Sequence, residues 1–308
     1  MSIKNSNKNI IPVLITPFKK NKIYEIGISN IYNFLKLNKI SYVFAGGSYG
    51  SFATMSFEER IKFAYFTNKY SKENGIKVFF NISSSSLEEV KKIYEKIYKY
   101  NFFSLSILPP YYYSNTNFYG VDEISAFVNK IYDFTQHKNL CLYNNPKTTG
   151  IDLTPNDLFA IKSNTKINFI KDSNESFEKI IEISRFKKLV RDNKFYYIPG
   201  TTASMLMSGL LGFKYCMSGL FLSAPSLISN LYHSASSSNF REASEIYKKV
   251  FELRKIMGHY CPRAVSAYYV LNNKNIDVGE PNFPWPKLKT GDKKTSLHFC
   301  FCFIEISL

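Results

Sequence analysis

The chain of 308 residues is poor in the features that would mark a membrane, disulfide-stapled or metal protein. No uninterrupted apolar run reaches the roughly 18 residues of a spanning helix, and the most apolar stretch, Met205 to Leu231, is broken by Lys214 and several serines. Met1 to Lys8 is polar and lacks the apolar core of a signal peptide, so cytoplasmic localisation and no membrane partner are expected. Five cysteines are too few and too scattered for a disulfide framework. Cys141 and Cys216 sit in apolar, strand-like runs, where a thiol behaves as a small hydrophobe. Cys261 is alone, and Cys300 and Cys302 are too close together for zinc spacing and have no second pair. The four histidines, His137, His233, His259 and His298, do not fall together at strand ends, so no metal and no cofactor are expected. Acidic residues are also scarce, 24 against 40 basic, which leaves a net charge of +16. The lysines are spread through most of the expected helices, and no zinc-finger, basic-zipper or RNA-recognition signature accompanies them, which argues against nucleic acid as the partner.

What remains is an ordinary globular composition, with 45% hydrophobic and 21% charged residues. Short β-branched and aromatic runs recur about every thirty residues, each followed by a turn and a segment of helical periodicity. Strands are expected at Ile10 to Ile15, Tyr42 to Ala45, Lys77 to Ile82, Ser104 to Leu108, Leu140 to Tyr143, Ile167 to Ile170, Tyr196 to Ile198 and Tyr215 to Met217. Helix starts are marked by Ser56 with Glu59, Ser86 with Glu89, and Thr154-Pro155. Strands alternating with helices and apolar throughout imply parallel pairing with both faces covered. An open doubly wound sheet would carry a glycine-rich turn after its first strand, but here that strand runs into Thr16-Pro17-Phe18. The expectation is therefore an α/β (β/α)₈ TIM barrel with additional C-terminal helices: residues 1–235 the catalytic barrel, 236–289 a helical extension, and 290–308 a divergent tail.

In such a barrel the chemistry lies in the loops after the strands. The second strand leads into Gly46-Gly47-Ser48-Tyr49-Gly50-Ser51, a turn whose backbone N–H groups can hold a carboxylate, although any flexible turn has this composition. The fourth ends in Pro109-Pro110-Tyr111-Tyr112-Tyr113 and the fifth in Tyr143-Asn144-Asn145-Pro146. The sixth ends in Ile170-Lys171-Asp172-Ser173, which sets a lysine just past an apolar strand. A lysine at the ordinary pKa of about 10.4 is neutral in roughly one molecule in a few thousand at pH 7. Partial burial lowers that pKa and makes a nucleophilic amine available. Tyr143 lies one βα unit before Lys171, so both reach the same cavity, and amine, phenol and N–H donors together suit Schiff-base catalysis.

These segments resemble the pyruvate-dependent class I aldolases and lyases typified by dihydrodipicolinate synthase and N-acetylneuraminate lyase, over residues 9 to 285. Ile11 to Phe18 is similar to the family's first strand, Gly47-Ser48-Tyr49-Gly50 to its glycine loop, Met55 to Arg60 to its Leu/Met-Ser-x-x-Glu-Arg element, Tyr143-Asn144-Asn145-Pro146 to Tyr-Asn-x-Pro, and Ile170 to Ser173 to the lysine strand. The resemblance implies that Lys171 forms an imine with pyruvate, that Tyr143 is the general acid/base, that Ser48 relays protons to it, and that the Ser48 and Tyr49 N–H groups, bracketed by Gly47, hold the carboxylate. It implies that Tyr112 serves a neighbouring subunit's site in a homodimer or homotetramer. The partners implied are pyruvate and a small aldehyde or 2-oxo acid.

The departures bear on the substrate. Synthases of this family carry Arg where Thr148 stands, and sialic-acid lyases carry an acidic pair where Gly200 is followed by Thr201 and Thr202. Tyr49 replaces a small hydroxyl residue and Ser51 the loop's Glu. A small uncharged residue at 148 is closer to the 2-keto-3-deoxy sugar acid aldolases. A true 4-hydroxy-tetrahydrodipicolinate synthase, an N-acetylneuraminate lyase, and a catalytically altered 2-oxo acid binding protein stay open as alternatives.

Overall fold

A computed structural model describes residues 7–113, 119–186, 195–259 and 262–288. The expected tail, with Cys300 and Cys302, lies outside the described residues, as does Cys261. The strands are β1 (Ile10–Pro12), β2 (Phe18–Lys19), β3 (Lys22–Ile23), β4 (Tyr42–Ala45), β5 (Lys77–Asn81), β6 (Ser104–Ile107), β7 (Leu140–Asn144), β8 (Ile167–Asp172), β9 (Tyr196–Pro199) and β10 (Cys216–Ser218). Strands β4 to β9 form one parallel sheet in chain order, and β1 pairs with β10 in parallel. The two sheets meet where Val13 bridges Phe44 and the Leu14 N–H donates to the Phe44 carbonyl at 2.9 Å. At the other seam the Tyr196 and Tyr215 rings pack edge-on at 5.3 Å. The eight long-range strands stand where the sequence period puts them, curled into a barrel with helices outside.

The sequence expectation lacks one element, the antiparallel hairpin β2–β3. Two residues per strand carry no period, and the turn residues Lys20 and Asn21 both take positive φ, which glycine would have advertised. Helix capping follows the sequence more closely. Ser56 and Glu59 form a reciprocal capping box at the start of Phe57–Asn74, and Thr154 and Asp157 do so at Pro155–Asn164. At Leu87–Ile97 only the Ser86 half forms, because the Glu89 carboxylate accepts from Ser84 Oγ and pairs with Arg60 instead. Two helices, Phe240–His259 and Arg263–Asn273, follow the helix of the eighth unit, Pro225–Ser236.

Side chains alternate along each strand, so the core has two layers. Ile10, Val43, Val78, Leu142, Ile170 and Cys216 face the helices, while Ile11, Phe44, Phe79, Cys141, Phe169, Ile198 and Met217 face inward. The amino-terminal half of the interior is filled by Tyr42, Phe79, Phe103, Phe169, Tyr196 and Tyr215, a chain of ring contacts with centroids 5.1–6.3 Å apart. Lys77 covers the Tyr42 and Phe103 rings from below at 5.5 and 5.4 Å, and Lys214 covers Tyr196 and Tyr215 at 4.6 and 5.3 Å. Each such ring pair adds about 0.5–1.5 kcal/mol to the area it buries, so this floor is a stabilising plug. No helix among the described residues is long and apolar enough to cross a membrane.

Candidate functional site

The inward alternation that puts Phe169 in the floor puts Lys171 one step higher on β8, directly in register with Tyr143 on β7. The lysine is 2% exposed. Its Nζ lies 3.6 Å from the centre of the Phe44 ring and 3.7 Å from that of Tyr143, held between two aromatic faces. Desolvation lowers its pKa below the ordinary lysine value, against the opposing pull of the Tyr143 oxygen. Burial thus outweighs attraction, and the amine is biased toward its nucleophilic, uncharged form. Cys141, one turn of the pleat below Tyr143, is buried with its thiol pushed up to about 12, which leaves it protonated and unreactive.

The outward positions of the same strand ends lock this arrangement from behind. Asp172 accepts from Asn144 Nδ2 at 2.9 Å, from the Tyr197 hydroxyl at 2.8 Å and from the Asn174 N–H at 2.9 Å, and Lys179 stands 3.2 Å away. Burial, then the Asp172 charge, raises the Tyr197 phenol well above its usual range, so it remains a donor. Three strands are tied at one buried carboxylate, which fixes the height of Lys171 relative to Tyr143.

Ser48 and Tyr49 begin a short 3₁₀ turn, closed by Gly50 N–H to the Gly47 carbonyl at 2.9 Å and Ser51 N–H to the Ser48 carbonyl at 3.2 Å. Gly47 must be glycine because a Cβ would come within 2.4 Å of the Phe44 ring. Gly46, at φ +70°, gives its carbonyl to Asn81 Nδ2 at 2.9 Å. The Met55–Arg60 motif supports the loop rather than the chemistry: Arg60 is buried, donates to the Ser83 carbonyl at 2.8 Å and lies 5.5 Å over the Phe52 ring.

The residue the sequence reading passed over is Asn145. Its Nδ2 donates toward Tyr143 Oη at 2.9 Å, Thr148 Oγ1 at 2.7 Å and Ser48 Oγ at 3.2 Å. The Asn145 amide thus stands between the Ser48 and Tyr143 hydroxyls. Its signal was a polar side chain two residues past the strand's last inward residue, indistinguishable in sequence from an ordinary turn asparagine.

Lys171, Tyr143, Ser48, Tyr49, Asn145 and Gly200 line one cavity of about 200 Å³, together with Ser173, Thr201, Thr202, Lys147, Glu175, Arg254 and Arg263. Gly200 is constrained, since a Cβ there would meet the Asp172 carbonyl at 2.8 Å. Tyr49 lies against Gly219 and donates from its hydroxyl to the Arg263 carbonyl at 3.2 Å, so its ring takes up space in the cavity. Two expected site residues stand apart. Thr148 is not in the lining, and its hydroxyl is taken by Asn145. Tyr112 is 84% exposed, at φ +110°, its ring edge-on to Tyr113 at 5.2 Å, and does not reach the cavity of its own chain.

The family model of the dihydrodipicolinate synthetase family matches residues 6–295. A 4-hydroxy-tetrahydrodipicolinate synthase of Wigglesworthia glossinidia brevipalpis is 28% identical over 255 residues, 80% of this chain and 80% of that protein. Among solved structures, the wild-type sialic acid aldolase of Ruminococcus gnavus superposes with a TM-score of 0.86 at 17% identity, covering 97% of each chain. KD(P)GA from T. tenax gives 0.84 at 17% identity, over 97% of this chain and 100% of that one.

Proposed function

Because the chain belongs to the dihydrodipicolinate synthetase family, we propose that it is a class I lyase that makes or breaks a carbon–carbon bond between pyruvate and an aldehyde through an imine on Lys171. The neutral amine attacks the ketone carbon, a C–N bond forms, and the carbonyl oxygen leaves as water after protonation. The protonated imine draws the electrons of a methyl C–H bond into an enamine. That enamine carbon attacks the aldehyde carbon, and water then releases the product and regenerates the amine. In reverse, the same sink accepts the electrons of the breaking bond.

Tyr143 supplies and collects the protons, its hydroxyl held by the Asn145 amide, which also donates to Ser48 Oγ. The backbone N–H groups of Ser48 and Tyr49 hold the pyruvyl carboxylate beside Gly47. The strained and exposed Tyr112 fits a role in a neighbouring subunit's site, in a cytoplasmic homodimer or homotetramer. Residues 1–235 act as the catalytic barrel and 236–289 as an extension that walls the mouth. With Thr148 in place of an arginine and occupied by Asn145, a 2-keto-3-deoxy sugar acid product is favoured over the condensation with aspartate semialdehyde.

The observation that carries this reading is the buried Lys171 amine against the Tyr143 ring at 3.7 Å. Borohydride reduction in the presence of pyruvate, followed by peptide mass mapping, is expected to place a stable adduct on Lys171. Absence of that adduct overturns the proposal, whereas an adduct without turnover on any aldehyde favours the 2-oxo acid binding protein.

A further inference from the structure

The outer wall of the cavity is built from charge that imine chemistry does not use. Lys147, Arg254 and Arg263 line it, with Glu175 as the one carboxylate among the described lining residues. Both Glu175 oxygens are committed: Oε2 to Lys147 Nζ at 2.9 Å and Oε1 to Arg254 Nη2 at 2.7 Å. Burial pushes this carboxyl up, but the Lys147 bond and the Arg254, Lys147 and Arg263 charges outweigh it and hold it ionised below the usual range. Three cations against one carboxylate leave two positive charges facing the space above Lys171.

Lys147 is largely solvated, its side chain 67% exposed, but the arginines are held more firmly. The Arg254 side chain is 13% exposed, and the Arg263 backbone is pinned by the Tyr49 hydroxyl. The same lining includes Gly200, Ser173, Thr201 and Thr202, which are small or hydroxylated. A neutral aldehyde would occupy the cavity and leave its net positive charge without a compensating anion, since Glu175 answers only part of it. A guanidinium matches a carboxylate or phosphate with two parallel N–H bonds, and the match strengthens as water is excluded.

We propose that Arg254 and Arg263, braced by Glu175 and aided by Lys147, bind an anionic group, carboxylate or phosphate, at the end of the aldehyde substrate remote from its carbonyl. This rests on the lyase reading above. It also gives the substitution at Thr148 a counterpart: the anion is held from the C-terminal helices, not from the loop after β7.

The test compares condensation of pyruvate with glyceraldehyde, glyceraldehyde 3-phosphate and succinic semialdehyde. One or both anionic aldehydes are expected to exceed glyceraldehyde at least ten-fold in kcat/KM, and which one does so separates phosphate from carboxylate. Arg254→Met and Arg263→Met are each expected to erase most of that advantage through KM. Trapping of pyruvate on Lys171 in the same variants shows that they are folded and imine-competent. Equal use of the neutral aldehyde, or an advantage that survives both substitutions, overturns the subsite while leaving the lyase reading intact. If no aldehyde turns over, calorimetric titration with inorganic phosphate and with succinate decides: binding weakened ten-fold in the variants supports the subsite, and identical titrations refute it. Failure of trapping in the unmodified protein is the separate outcome that removes the lyase reading.

Discussion

At the amino end of the barrel the inward positions carry Tyr42, Phe79, Phe103, Phe169, Tyr196 and Tyr215; at the carboxyl end they carry Asn81, Tyr143 and Lys171. The same alternation builds both ends, and β8 contributes to each, Phe169 below and Lys171 above. The lower end gains stability from ring packing. The upper end gives stability up, because it buries an amine whose charged form is penalised. What distinguishes floor from site is which inward positions are spent on packing and which on polar groups.

The largest expected effect is at the upper end. Lys171→Met should abolish pyruvate trapping completely and at the same time raise the thermal midpoint at neutral pH, by about 2–4 °C per kcal/mol recovered. The folded pKa of Lys171 lies below the unfolded value, so the unfolded chain binds the extra proton and stability rises with pH between the two. The gain from the methionine should accordingly shrink as pH is raised through that window. A variant that loses stability would break the contrast between the two ends.

Tyr143→Phe comes next: turnover should fall about 10²–10⁴-fold, the usual weight of a positioned acid/base, while borohydride trapping of preformed imine persists. At the floor, Phe79→Ala should cost about 3–5 kcal/mol of stability in urea unfolding, yet leave Lys171 trappable in the folded fraction. Asn145→Leu should lower turnover about ten-fold, corresponding to roughly 1.4 kcal/mol for the hydrogen bond to Tyr143. The smallest effect is in the pH profile of trapping. Its rate should climb with pH and level off below the ordinary lysine value; a climb that continues to pH 10.5 would mean a solvated amine and sink the idea of a desolvated site.

The barrel was legible because parallel, doubly covered strands leave apolar runs at a regular interval. Lys171 and Tyr143 were legible because a lysine that ends such a run, one unit after a similarly placed tyrosine, stands at the barrel mouth, where burial turns an amine into a nucleophile. The floor was not, since in a chain with 23 Tyr and 27 Phe an aromatic at a strand start looks like composition. Arg254 and Arg263 were hidden for a related reason: the first stands on a helix beside Lys248, Lys249 and Lys255 and the second opens a helix, so both read as solvated positions, and only the way Phe240–His259 and Arg263–Asn273 pack brings them to the cavity. Asn145 lies in a turn where polar residues are the norm. The hairpin β2–β3 was too short to have a period at all.

Among the described residues, six rings stopper the end of the cylinder opposite Lys171. Under the lyase reading proposed above, the imine partner lies against that stopper and the second reactant above it, so pyruvate is expected to enter before the aldehyde in synthesis and to depart after it in cleavage. The order of arrival and exit is then a matter of plumbing, set by the stopper at the opposite end from the reaction.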